Sequence, residues 1–154
     1  MRIRRAVQKD RELIWRATME TVWQDLSEAE QREVGRAAME EHFRPHAREV
    51  IERPESEVLV AEAPDGTVVG YTILGRATSM VSPHPFGFVY DLWVAPEARR
   101  QGVARRLMEH AAGWCRRQGL STLRLEVAAG NSGARAFYAA EGFAEERLYL
   151  GRGV

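Results

Sequence analysis

Residues 99–106 read "RRQGVARR", four arginines enclosing Gly102 and Ala104, directly after the run "FVYDLWV" (88–94) and the turn "APEA" (95–98). The run has strand composition, β-branched and aromatic residues with one charge, Asp91. After Gly102 the period turns helical: Val103, Leu107, Ala111 and Trp114 share one stripe, and Gly119 is placed to end it. A strand therefore feeds a helix amino terminus, where unpaired N–H groups and the positive end of the dipole attract anions. Gly102 and Ala104 are small enough for an extended phosphate to lie against the backbone, and Arg99, Arg100 and Arg105 can add charge-assisted bonds. The same residues also suit a tight turn with solvated arginines, and the local pattern leaves both readings open. The Gly-Lys-Ser/Thr ending of a nucleoside-triphosphate loop and the G-x-G-x-x-G of a dinucleotide fold are both missing here.

Working outward, Asp10 is expected to cap a helix carrying Trp15, Met19, Val22, Trp23 and Leu26 and ending near Asp25. Ser27 with Glu30 forms a capping-box pattern for a second, more polar helix, kinked or interrupted at Pro45. "EVLVAEA" (57–63) and "VVGYTILG" (68–75) read as a hairpin around Pro-Asp-Gly, and "SMVSPHPFG" (79–87) as a loop. In "STLRLEV" (121–127), Leu123, Leu125 and Val127 alternate with polar residues, as in a strand parallel to 88–94 across the helical crossover. Asn131 or Ser132 opens a last helix ending at Gly142, and "FAEERLYL" (143–150) is expected to close the chain as terminal strands. The order predicts one mixed α+β domain over residues 1–154.

Composition narrows the classes. The chain is 45% hydrophobic and 29% charged with formal net charge zero, which gives no global attraction to nucleic acid or an anionic membrane. No apolar run approaches the ~18 residues of a membrane span, and the first ten residues lack the apolar core of a secretory signal, so a cytoplasmic protein is expected. The lone cysteine, Cys115, excludes an internal disulfide and a cysteine-based zinc site. His42 and His46 have helical spacing but Pro45 between them and no third ligand, so no metal is expected.

"RRQGVA" resembles the pyrophosphate loop Q/R-x-x-G-x-G/A of the GNAT superfamily of acyl-CoA-dependent N-acyltransferases, and it follows the strand "YDLWV" as in that family. "NSGARAFYAAEGF" (131–143) resembles its second motif, an Asn leading a helix that carries Tyr before Gly-Phe. The resemblance spans nearly the whole chain. It implies the GNAT fold, a mixed central sheet with splayed parallel strands 4 and 5 and helices on both faces. It implies acetyl-CoA as cosubstrate, its pyrophosphate on the backbone around Gln101, Gly102, Val103 and Ala104, its pantetheine along Leu92, Trp93 and Val94, and a contact from Asn131. Ala104 stands where Gly is commoner, a variation that the pattern permits.

Acyl transfer to an amine needs a neutral amine, a polarised carbonyl and a protonated leaving thiolate. Asp91 and Glu126 flank the opening that the resemblance implies, and both match positions that serve as carboxylate bases in different GNAT branches. Asp91 is equally a strand-bend ion pair, and Glu126 a solvated residue or a partner of Arg124. Tyr138 matches the tyrosine that protonates the thiolate in the family, with packing beside Phe137 as its plain alternative; Asn131 is also a plain helix cap. A backbone N–H near Leu92 or Trp93 would polarise the carbonyl. The expected activity is direct acetyl transfer to a primary amine of a small molecule, with a protein N-terminal amine or a non-catalytic acyl-CoA-binding module as alternatives, and with a homodimer left open.

Overall fold

The computed structural model describes residues 1–152; the last two residues of the expected domain lie outside it. Five strands form one sheet in the order β1 (Arg2–Arg5), β2 (Glu57–Glu62), β3 (Val68–Ser79), β4 (Ser82–Val94) and β5 (Leu123–Leu125). The first three pairings are antiparallel and β4–β5 is parallel. Helices α1 (Arg11–Asp25), α2 (Glu28–Val34) and α3 (Arg36–Glu52) separate β1 from β2. Helix α4 (Val103–Arg117) joins β4 to β5, and α5 (Ser132–Ala140) follows.

The period-2 pattern of β2 assigns the two faces. Leu59 and Ala61 turn to one side, where Val103, Leu107, Ala111, Trp114 and Cys115 of α4 bury against them and Leu74. Val60 turns to the other with Tyr71 and Ile73, and is covered by Ile14 and Ala17 of α1. Leu107, Ala111 and Val60 are fully enclosed, so α4 and α1 are seated by apolar burial at about 25 cal/mol per Å².

Several expectations are corrected. Asp10 does not cap α1; its carboxylate accepts the Val7 N–H at 2.7 Å and pairs with Arg4 at 2.7 Å, closing the turn between β1 and α1. The Ser27 capping box forms, with Ser27 N–H donating to Glu30 Oε2 at 2.8 Å. The polar helix then breaks at Gly35, whose φ of +72° is left-handed, while Pro45 lies inside α3. The expected loop at 79–87 is mostly strand: only Met80 and Val81 form the tip, and Ala77 pairs with Phe86. Pro83 and Pro85 are tolerated because β5 reaches β4 only from Gly87 onward, so their missing N–H groups break no ladder on that side. The strand expected at 121–127 shrinks to Leu123–Leu125. Residues 143–150 form no strand; Leu148, Tyr149 and Leu150 face solvent, without the covered face that an alternating pattern needs.

Gly87 begins the β4–β5 ladder beneath α4, and a Cβ there would collide with the buried Cys115 Sγ. Gly87→Ala is therefore expected to destabilise the fold by about 1–3 kcal/mol, measured by denaturant unfolding. Adding Cys115→Ala should recover part of that loss; an additive pair would show that the two sites do not meet.

Candidate active site

The site begins with an irregularity in register. Leu74 pairs with Val89 and Ile73 with Asp91, so Tyr90 is an extra residue in β4. Such a bulge bends the strand and re-aims the side chains beside it. The parallel ladder with β5 stops at the same place, its last pair being Val89 and Leu125. Beyond it β4 keeps β3 on one side, through Thr72↔Leu92, Tyr71↔Trp93 and Gly70↔Val94, and has no strand on the other among the described residues. Leu92, Trp93 and Val94 thus carry a free backbone edge, and Trp93 is held by stacking on Tyr71 with centroids 5.7 Å apart.

A cavity of about 130 Å³ occupies the opening, and it brings Asp91, Glu126, Asn131 and Tyr138 together. Thr18 and Asp25 of α1 also line it, and no lysine, arginine or histidine does. Glu126 is exposed and has no hydrogen-bond partner among the described residues, Arg124 pairing instead with Glu146 at 2.7 Å. Asp91 is the opposite case. Its Oδ2 accepts from Thr18 Oγ1 at 2.7 Å and from the Tyr71 phenol at 2.8 Å. Burial pushes its carboxyl above the usual carboxylate range against the lowering effect of those hydroxyls, and Asp25 adds to the rise. Burial likewise pushes the Tyr138 phenol up to about 12, with Asp91 and Asp25 acting in the same direction. At neutral pH Tyr138 is a proton donor. Asn131 caps α5, its Oδ1 accepting the Ala134 N–H at 3.1 Å, while its Nδ2 donates to Asp25 at 3.2 Å.

At the other end of the free edge, Pro96–Ala98 makes one tight 3-10 turn and the chain enters α4 through two left-handed residues, Arg100 (φ +60°) and Gly102 (φ +77°). No hydrogen bond occupies the N–H groups of 100–105 among the described residues. A Cβ built on Gly102 would meet nothing within 4 Å, so the space before those amides is open. Gln101 and Ala104 sit at this helix start, and Val103 contributes only backbone because its side chain is buried under α4. The arginines are partly committed: Arg99 Nε donates to Val94 O at 3.2 Å and Arg105 pairs with Glu141 at 2.8 Å, whereas the Arg100 side chain has no partner among the described residues. The backbone is what this turn offers an anion.

The sequence reading missed Thr18, Tyr71 and Asp25. Thr18 sits in an apolar helical stripe, Tyr71 in an apolar strand, and Asp25 reads as a helix end; only the packing of α1 across β3 and β4 brings them to Asp91. Cys115 is buried against the sheet, as expected for packing, and among the described residues no cluster of metal ligands occurs.

A mixed sheet parted at β4 and β5, with an open amide turn at the head of the crossover helix, is the arrangement that the sequence resemblance implies. The chain belongs to the acetyltransferase (GNAT) family, whose model matches residues 15–143. It is 31% identical over 116 residues, 73% of this chain and 80% of the relative, to an aminoglycoside N(6')-acetyltransferase type 1 from Serratia marcescens. A putative acetyl transferase from Pyrococcus furiosus shares the fold with TM-score 0.83 at 18% identity, covering 99% of each chain. So does AAC(6')-Iy, solved with the bisubstrate analogue CoA-S-monomethyl-acetylneamine, with TM-score 0.71 at 18% identity, covering 99% of this chain and 97% of that one.

The raised Asp91 carboxyl has a signed consequence for stability. A carboxyl raised by folding favours the folded state while protonated; that contribution is complete below its unfolded value near ~3.9 and is lost as pH rises through the folded value. Asp91→Asn does not titrate there. Its thermal midpoint relative to wild type is therefore expected to climb as pH rises above about 4, and a pH-independent difference would show an unshifted carboxyl.

Proposed function

We propose that this protein transfers the acetyl group of acetyl-CoA directly to a primary amine of a small molecule. The carrying observation is that one opening holds Asp91, Glu126 and Tyr138 at the end of a free strand edge that leads to unpaired amides. The amides of 100–105 suit the pyrophosphate, and the edge at Leu92, Trp93 and Val94 suits the amide-bearing pantetheine arm. Acetyl-CoA supplies an acyl thioester with a thiolate as leaving group.

The protein's own groups then divide the remaining work. An alkyl ammonium has a pKa near ~10 and is inert until it loses a proton. Glu126, exposed and unpaired at the mouth, accepts that proton directly or through water. A backbone N–H of the β4 edge polarises the carbonyl, and Tyr138, protonated at neutral pH, gives its proton to the departing sulfur. A pocket with three carboxyl residues and no cation favours a positively charged acceptor. The aminoglycoside acetyltransferase relative supports a small-molecule amine as that acceptor.

Calorimetry with acetyl-CoA tests the cosubstrate, with ATP and Ala104→Asp as comparisons. Wild type should bind acetyl-CoA and not ATP, and the added carboxylate should abolish binding. In a thiol-release assay over a panel of amines, Tyr138→Phe and Glu126→Gln are each expected to lower kcat by about 10²-fold or more with acetyl-CoA affinity retained. Acetylation of a peptide N-terminus alone would overturn the small-molecule acceptor.

A further inference from the structure

Three oxygens in the pocket wall lie at mutual hydrogen-bond distance: Thr18 Oγ1 to Asp91 Oδ2 at 2.7 Å, the Tyr71 phenol oxygen to the same Oδ2 at 2.8 Å, and Thr18 Oγ1 to the Tyr71 oxygen at 2.8 Å. Neither hydroxyl has another partner among the described residues, and at 4% and 0% exposure Thr18 and Tyr71 are closed to bulk water. Three contacts need three protons, and a threonine and a tyrosine bring one each. If Asp91 is ionised, both hydroxyls turn to it and the Thr18–Tyr71 edge sets lone pair against lone pair. If Asp91 is an acid, every oxygen donates to one neighbour and accepts from the next, and no edge is left bare.

The surroundings favour the third proton. Asp25 from α1, Glu126 beyond β5 and Tyr138 from α5 face the same cavity, and no cation lines it. Burial raises the Asp91 carboxyl, and Asp25 repels its charged form.

We propose that the resting protein holds Asp91 as the neutral acid in a closed three-proton ring with Thr18 and Tyr71. Asp91 then enters acyl transfer protonated, leaving Glu126 as the base. Thr18 and Tyr71 are positioning residues that act through Asp91. A neutral Asp91 also keeps a fixed negative charge away from the region where Tyr138 would meet a developing thiolate. The ring stands on the resting geometry alone; only its consequence for Glu126 rests on the acyl-transfer reading.

The test is carbon NMR of the full chain, labelled at aspartate Cγ and free of cosubstrate, so it is independent of whether acetyl-CoA binds. The chain has four aspartates, Asp10, Asp25, Asp65 and Asp91. The Asp91 signal is identified by correlation to the Leu92 amide, and again by its loss in Asp91→Asn. At pH 7 it is expected at the position of a protonated carboxyl, apart from Asp10 and Asp65, whose carboxyls are held low by Arg4 and by Thr67. Thr18→Val should displace the Asp91 midpoint by about one pH unit, and Thr18→Ser should restore it. A carboxylate signal for Asp91 at pH 7 would overturn the proposal, as would a Thr18→Val midpoint equal to that of wild type.

Discussion

One extra residue in β4, Tyr90, is the constraint on which the rest of the site depends. A parallel pair keeps its ladder only while both strands advance in step, and the bulge takes β4 out of step with its neighbours just past Val89. Three consequences follow from that local event. The ladder with β5 ends after three pairs, the edge from Leu92 to Val94 is left without a neighbouring strand among the described residues, and Asp91 is turned to meet Thr18 and Tyr71 beside a cavity.

The two ends of the free edge are electrostatically opposite. At one end three carboxyl residues surround the cavity; about one helix entry away, unpaired amides and the dipole of α4 present positive potential. Zero net charge over the whole chain thus conceals two local regions of opposite character. β4 runs from the cavity towards the turn, so a strand and one short turn lie between the two ends. Gly87 admits Cys115, and Gly70, where a Cβ would stand 2.9 Å from Trp93 O, lets α4 settle on β3. Both glycines serve close approach rather than conformational freedom.

Burial and hydrogen bonding distinguish the two carboxyls nearest the opening. Glu126 faces solvent without a partner among the described residues, whereas Asp91 is largely buried against two hydroxyls whose partners are Asp91 and each other. Residues of the same chemical type thus stand in different surroundings, one solvated and one held by hydroxyls. Tyr138 belongs to the same logic, its phenol kept protonated by the burial that also brings it to the cavity.

Much of the architecture was legible in sequence because it depends on local periods and short-range stereochemistry. The stripe Val103, Leu107, Ala111, Trp114 specifies α4, Gly102 and Gly119 mark its ends, and Ser27 with Glu30 starts α2. Asp91, Glu126, Asn131 and Tyr138 could be picked out through the family resemblance that their motifs carry, and the structure gathers them in one cavity. What the sequence could not carry was pairing at long range. Asp10 reads as a cap until Arg4 is seen beside it, and 79–87 reads as a loop because prolines and a glycine outweigh the cross-strand partners that hold it extended. The alternation of 143–150 signals strands that no covered face supports. Thr18 and Tyr71 are far from Asp91 in the chain and individually unremarkable. Local chemistry determined the helices, the anion-ready turn and the inventory of reactive groups; only tertiary packing decided which oxygens touch, because a proton's position depends on neighbours that the order of residues does not name.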